Sequence, residues 1–234
     1  MPLKKLKQQL KKASNKKTAE TLQWFFKTGK GDYGEGDKFI GIKVPQIRMI
    51  AKINKDLTIP EIQKVLQSKY HEERLCALFI LVDKYAKGND ETKEKIFRFY
   101  LQNTEMINNW DLVDLTAPKI VGKHLLTQNR KILFKLARSK NLWERRISIL
   151  STFEFIREKQ FSDSLKIAKL LLNDNHDLIH KAVGWMLREI GKRDLKTEEV
   201  FLMKYYKKMP RTMLRYAIEK FPTKKRLAYL KGDF

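Results

Sequence analysis

A tryptophan and an aspartate four residues apart, Trp110 and Asp114, are the side chains best suited to chemistry in this sequence. Residues at this spacing lie one turn apart on the same face of a helix, so a carboxylate would be held beside an indole. Such a pair can stabilise a developing positive charge. Asp111, earlier in the same turn, would complement the helix N-terminus. The alternative without chemistry, in which the Trp110 indole packs in the core and Asp114 is solvated, remains open.

Two further tryptophans stand next to basic residues. Trp143 is followed by Arg145 and Arg146, and Trp185 is followed by Arg188 three residues later. Each tryptophan taken singly is more often a packing residue than a chemical one. Aromatic and basic side chains interleaved on consecutive helices are, however, typical of a nucleic-acid groove.

Three other patterns point to packing or loops. Gly29–Gly34 satisfies G-x-G-x-x-G, but no strand precedes it, so we predict a glycine-rich loop over about 29–43. His176 and His180 stand at i, i+4 without a third ligand nearby, and we predict no metal site. Cys76 is the sole cysteine, cannot form an internal disulfide, and is expected in the core.

The elements that must position these residues are helices. Apolar residues recur at intervals of three and four almost everywhere, which predicts an all-α protein. The first helix, 3–14, is basic and amphipathic. The predicted helices are 3–14, 17–28, 45–55, 59–68, 71–87, 90–102, 108–124, 128–139, 142–158, 162–173, 177–192, 197–208 and 212–221.

A coarse repeat underlies this helical pattern. A polar residue precedes a small or apolar run at intervals of 40, 32, 35 and 34 residues, and these leading residues are Arg74, Asp114, Arg146, Lys181 and Arg215. Two helices fit in each interval, which predicts an α-solenoid of HEAT-like repeats over a single domain, 1–234. A curved superhelix with a basic concave face would follow. A compact helical bundle is the alternative.

The charge balance excludes several protein classes. Lys and Arg number 50 against 27 Asp and Glu, a formal charge of +23, while 42% apolar and 11% aromatic residues suffice for a core. The longest apolar run, Leu75–Val82, is too short to cross a bilayer, so we expect no membrane-spanning segment. We also expect no membrane partner. The excess charge favours a polyanionic partner, with nucleic acid foremost, and the lone cysteine fits a reducing, cytoplasmic location.

Three motifs in order give the sequence a family resemblance: Trp110-Asp-Leu-Val-Asp114, the segment beginning Trp143-Glu-Arg-Arg146, and Lys181-Ala-Val-Gly-Trp185-Met-Leu-Arg-Glu189. Together they resemble the AlkD family of DNA alkylation-repair glycosylases, which are built from HEAT-like repeats. The stretches 25–37 and 41–45 also resemble that family, so the similarity covers nearly the whole chain.

The resemblance implies a site and a reaction. Trp110, Asp114 and Trp185 would surround the deoxyribose of a damaged nucleotide, Arg146 would hold the adjacent phosphate, and an N-terminal aromatic would support the duplex. That aromatic would be Trp24 or Phe25. Further contacts to DNA are expected from the basic residues Lys43, Arg48, Arg145, Lys181, Arg188 and Arg215.

The implied activity is that of a monofunctional glycosylase. It would release cationic N3- and N7-alkylpurines, such as 3-methyladenine and 7-methylguanine, from double-stranded DNA and leave an abasic site. A cationic base is already a good leaving group, so no general acid, metal or cofactor is expected, and the protein would act as a monomer. The alternatives are a non-catalytic HEAT-repeat module that binds branched or structured DNA or RNA, and a helical scaffold for acidic proteins.

Overall fold

The computed structural model describes residues 2–234. The regular elements within this range are helices, and Lys38 and Tyr70 form an isolated β-bridge. This confirms the predicted all-α class, and the architecture is consistent with an α-solenoid of HEAT-like repeats. The helices are α1 (Pro2–Ala13), α2 (Lys16–Phe25), α3 (Val44–Ile53), α4 (Ile59–Leu66), α5 (His71–Lys87), α6 (Asp90–Gln102), α7 (Trp110–Asp114), α8 (Lys131–Leu136), α9 (Leu142–Arg157), α10 (Ser162–Leu170), α11 (Asp177–Gly191), α12 (Leu195–Tyr205), α13 (Arg211–Ala217) and α14 (Thr223–Lys231).

The prediction of one continuous helix over 108–124 is wrong. Helix α7 ends at Asp114, and a π-helical turn follows at Pro118–Gly122. Proline lacks the N–H that a continuous helix requires, so the break falls where Pro118 enters. A Cβ on Gly122 would lie 2.4 Å from the Ser151 carbonyl oxygen, which shows how closely this turn packs on α9. Helix α14 was missing from the sequence prediction.

Each of two compact units, Met1–Leu112 and Val113–Phe234, has its own core. In the first, α3 and α4 pack on α5, whose residues from Leu75 to Leu81 are all buried. Helix α4 begins where the sequence predicts, because Thr58 and Glu61 form a reciprocal capping box. The single continuous domain over 1–234 stays a prediction.

The second unit is organised around α9 and α11, which pack on each other. Helix α9 also contacts α8, α10 and the π-helical turn, while α11 packs closely on α13. The close approach of α11 to α13 requires Gly184, where a Cβ would lie 2.4 Å from the Met213 carbonyl oxygen. Within residues 2–234, no helix is both long and apolar enough to span a bilayer.

Candidate functional site

Trp110 is held on one side by aromatic rings and remains partly exposed. Its indole stacks on Phe26 with centroids 4.9 Å apart and meets the edge of Phe25 at 5.9 Å. The indole Nε1–H donates to the Tyr33 hydroxyl at 3.2 Å. Trp110 thus packs against the core cluster of Ala19, Phe26 and Phe39, and this packing and the hydrogen bond fix its orientation.

The glycine-rich loop provides Tyr33 and is fastened at two places. Gly41 adopts a φ of +83°, and a Cβ there would lie 2.0 Å from the Asn15 carbonyl oxygen, so only glycine fits beside α2. The Glu72 carboxylate accepts hydrogen bonds from the N–H groups of Ile40, Gly41 and Ile42. The predicted loop is confirmed, and it is an ordered support for the aromatic side chains.

Beneath the aromatic rings lies a buried charge cluster made of Asp37, His71, Arg74 and Asp111. The His71 Nδ1 lies 3.0 Å from Asp37 Oδ2, and its Nε2 lies 2.8 Å from Asp111 Oδ2. Arg74 pairs with the other Asp37 oxygen. Two positive and two negative groups thus lie together. Burying any one of these charges without a partner of opposite sign would cost free energy.

Burial by itself would lower the pKa of His71, but the charge and hydrogen bond of Asp111, together with those of Asp37, raise it to about 9. Burial would likewise raise the pKa of Asp37, but the hydrogen bond from His71 and the charge of Arg74 hold it below its ordinary value. His71 and Asp37 are therefore both charged at neutral pH.

The cluster changes two sequence-based interpretations. Asp111 was expected to complement the N-terminus of its helix; its Oδ1 accepts the Leu112 N–H, and its Oδ2 is bound to His71. Arg74 was expected on a basic concave face, but it is 4% exposed and bound to Asp37, Asn108 and the Ser68 carbonyl. Arg74 therefore belongs to the interior, because its charge neutralises a buried carboxylate.

Asp114 and Arg146 form a two-pronged ion pair in the second unit. Arg146 Nε donates to Asp114 Oδ1 and Nη2 donates to Oδ2, both at 2.7 Å. The remaining Arg146 nitrogen, Nη1, donates to the Leu178 carbonyl oxygen on α11. The Asp114 side chain is 14% exposed, so the alternative of a solvated aspartate is wrong. Arg146 orients this carboxylate, and its contact to a phosphate stays a prediction.

The other two tryptophans near basic residues differ in exposure. Trp143 is buried, which favours a packing role. Trp185 on α11 is partly exposed, lies 6.1 Å from the Phe153 ring, and donates from Nε1 to Glu189 at 3.3 Å. Trp185 thus resembles Trp110 in having one ring region anchored and another accessible.

The two candidate aromatics of α2 are both at the surface. Trp24 is 82% exposed and Phe25 is 53% exposed, and both line a groove of about 620 Å³ with Thr28 and Asp32. Phe25 is tied by its ring to Phe26 and Trp110, whereas Trp24 projects freely into solvent. The structure thus leaves both aromatics available for contact with a duplex.

The predicted basic contacts fall into exposed and ion-paired residues. Lys43, Arg48 and Arg215 are exposed. Three others are held by carboxylates: Arg145 by Asp174 at 2.6 Å, Lys181 by Asp177 at 2.6 Å, and Arg188 by Glu219. Ion pairing does not prevent a DNA contact, but it reduces the free positive charge at those positions.

Sequence reasoning missed Arg226 because helix α14 was not predicted. Arg226, Arg215, Lys181 and Tyr216 line a cleft of about 470 Å³ in the second unit, together with Asp177, Thr212 and Glu219. It also missed His71 and Asp37. A signal was present for His71, since four charged or titratable residues, His71 to Arg74, directly precede the buried apolar run of α5.

His176 and His180, at the start of α11, both form hydrogen bonds to the backbone. His176 caps α11 by accepting the Leu178 N–H, and His180 Nε2 lies 2.5 Å from the Asp174 carbonyl oxygen. In the part of the chain from 2 to 234, no three His, Cys, Asp or Glu side chains form a group that could hold a metal ion. The absence of a cofactor stays an expectation.

Fold and site together define an all-helical protein in which partly exposed tryptophans accompany an Asp–Arg pair and a large positive charge. The chain belongs to the family described as DNA alkylation repair enzyme, which it matches over residues 6–221. This membership gives it a role in DNA repair, with DNA as its partner, and confirms the resemblance seen in the sequence.

A solved structure described as a predicted DNA alkylation repair enzyme from Enterococcus faecalis has a similar fold. The two share 17% identity and a TM-score of 0.71 over 90% of this chain and 97% of that one. At this identity the likeness shows the fold alone. None of the curated proteins matches the chain.

Proposed function

We propose that this protein is a monofunctional DNA glycosylase that hydrolyses the N-glycosidic bond of N3- and N7-alkylated purines in double-stranded DNA. The observation that carries the proposal is the Asp114 carboxylate, held in one orientation by Arg146 within a chain of charge +23. A protein that only bound phosphates would gain nothing from a fixed carboxylate among its basic residues.

The reaction needs electrostatic help more than proton transfer. The alkylated base is cationic, so it departs with the electron pair of the C1′–N bond and becomes neutral. Positive charge then develops on the sugar, where a fixed carboxylate stabilises it and orients the attacking water. The water oxygen bonds to C1′ and releases a proton to solvent, leaving an abasic site. In this proposal Asp114 stabilises the cation, and Arg146 fixes the carboxylate.

Trp110 and Trp185 would contribute through their ring faces. An aromatic face attracts a cation by about 0.5–2 kcal/mol, depending on how far water is excluded. This attraction grows as the sugar gains charge, so it favours the transition state over the ground state.

The exposed basic residues would hold the phosphate backbone, and Trp24 or Phe25 would support the duplex. Lys43, Arg48 and Arg215 are the strongest candidates because their side chains are exposed. Phosphate contacts position the strand without reading its sequence. We expect the protein to act as a monomer in the cytoplasm, without metal or cofactor.

The test is release of 7-methylguanine from methylated genomic DNA, measured by mass spectrometry. Asp114→Asn should abolish release while leaving duplex affinity nearly intact. The matched control is Asp163→Asn, because Asp163 is also paired with an arginine, Arg130, at 2.9 Å in the same unit. Release by Asp114→Asn at the wild-type rate would contradict the assignment of Asp114.

A second candidate function has one observation in its favour. All three Arg146 nitrogens donate hydrogen bonds, two to the Asp114 carboxylate and one to the Leu178 carbonyl oxygen, as expected of a purely structural ion pair. Asp114 would then be only a counter-ion, and the protein a helical-repeat module for branched or structured nucleic acid. No release of any methylated base, combined with tighter binding to a four-way junction than to a linear duplex, would favour this candidate.

A further inference from the structure

The imidazole of His71 is enclosed by acceptors on both sides. Asp37 faces its Nδ1 at 3.0 Å and Asp111 faces its Nε2 at 2.8 Å, and both partner atoms are carboxylate oxygens. A neutral imidazole donates from one nitrogen only, so it could satisfy one of these carboxylates and not the other. The geometry therefore calls for a ring protonated on both nitrogens.

The same ring forms the base of the aromatic stack under Trp110. His71 stacks on Phe39 at 4.5 Å, Phe39 stacks on Phe26 at 5.0 Å, and Phe26 stacks on Trp110 at 4.9 Å. The interplanar angles of these three contacts are 21°, 20° and 19°, so the rings are close to parallel. A tilt of His71 would be passed from ring to ring to the indole.

His71 also reaches Trp110 through the backbone. Asp111, bound to His71 Nε2, is the residue directly after Trp110 in α7. Asn109, the residue before Trp110, is fully buried. It donates to Asp37 Oδ2 at 3.3 Å, and its side-chain oxygen accepts the Trp110 N–H. Both chain neighbours of Trp110 are thus anchored in the cluster that His71 holds together.

We propose that His71 is a positioning residue for Trp110: a buried imidazolium, clamped between Asp37 and Asp111, that fixes the indole for the reaction. The proposal deepens the proposed function and rests on it for the catalytic consequence. The charged groups facing His71 are Asp37 from the glycine-rich loop and Asp111 from α7, and Arg74 on its own helix completes a neutral set. Loss of the His71 proton would leave one buried negative charge uncompensated.

The first experiment reads the protein alone, without DNA. Nitrogen-15 NMR of the histidine rings should show both His71 nitrogens protonated at pH 8, whereas an ordinary histidine is neutral there. The indole N–H resonance of Trp110, assigned by Trp110→Phe, should move together with His71 as the pH is raised toward 10. A His71 ring protonated on one nitrogen at pH 8 would overturn the proposal.

The second experiment measures excision by His71→Gln. The matched control is His124→Gln, because His124 is a partly exposed histidine of the second unit and belongs to neither the charge cluster nor the candidate site. Since a displacement of about 1 Å costs up to about 100-fold in rate, kcat should fall by about 10- to 100-fold while KM stays near the wild-type value. Unchanged kcat with a displaced Trp110 resonance would overturn the catalytic consequence. Where His71→Gln does not fold, the wild-type pH dependence of kcat, falling as His71 loses its proton, decides instead.

The NMR and excision experiments distinguish failure of the positioning role of His71 from failure of the proposed glycosylase function. If wild-type protein releases no methylated base, the proposed function fails, and the NMR result still shows whether His71 holds Trp110 in place. If wild-type protein is active and His71 is neutral at pH 8, the positioning role fails while the proposed function stands.

Discussion

The strongest thermodynamic prediction concerns the stability of the protein between pH 6.5 and 9. Two buried carboxylates raise the pKa of His71 from an ordinary 6.5 to about 9. A group whose pKa is raised on folding stabilises the native state fully below its unfolded pKa. That contribution disappears as the pH rises through the folded value, because the native state then no longer binds an extra proton.

The magnitude follows from the size of the pKa difference. Each unit corresponds to about 1.4 kcal/mol, so the proton on His71 contributes about 3 kcal/mol below pH 6.5 and almost nothing above pH 9. The perturbation is His71→Gln, which removes the titrating group. The difference in unfolding free energy between wild type and variant should therefore shrink by about 3 kcal/mol from pH 6.5 to pH 9.

The assay is urea unfolding followed by circular dichroism at half-unit steps of pH. Other groups that titrate in this range, such as Glu198, are present in both proteins and cancel in the difference. A difference that stays constant from pH 6.5 to 9 would refute the reasoning, because it would mean that His71 carries the same charge in the folded and unfolded chains.

Three other outcomes are expected. Gly41→Ala should lower the free energy of unfolding by about 2–4 kcal/mol in urea melts, because the added Cβ would meet backbone atoms. Gly31→Ala is the control: its φ is +82° but the space around it is open, so it should cost only about 1 kcal/mol, and equal losses for the two variants would contradict the role of the close approach at Gly41. Arg226→Ala should reduce the slope of log K against log salt by about 1 in fluorescence-anisotropy titrations of duplex DNA. Arg98→Ala should leave the slope unchanged, because Arg98 is not among the predicted DNA contacts and is paired with Glu94 within α6. Burial and the charge of Glu199 raise the pKa of Glu198 to about 8, so Glu198→Gln should gain stability relative to wild type as the pH rises from about 4.5 to 8, and a pH-independent difference in unfolding free energy would exclude this.

The helical class and most helix positions were predictable because they depend on local periodicity. Helix α5 begins and ends where the pattern predicts, and α4 begins at its capping box. The break at Pro118 was missed because the apolar spacing continues through it. Its cause is partly tertiary, since Gly122 packs on the Ser151 carbonyl across the turn.

The candidate site was only half predictable. Trp110 and Asp114 were visible because their spacing has a local geometric meaning. The bond between Asp114 and Arg146 joins residues 32 positions apart, and that between His71 and Asp111 joins residues 40 apart. Neither bond can be read from helical spacing. The same holds for the pair between Arg74 and Asp37, and the sequence therefore wrongly placed Arg74 in the groove, although its charge neutralises Asp37 inside the first unit.

The bond between Glu72 and the loop backbone has a consequence for how the chain folds. Three consecutive N–H groups of a segment without regular structure depend on a carboxylate about 30 residues further along the chain. The loop therefore has no stable conformation of its own until α5 has formed and docked, since its closure entropy must be met before these bonds exist. Segments 29–43 and 71–74 should thus gain and lose structure as one cooperative unit, which makes the orientation of Trp110 a property of the folded first unit as a whole.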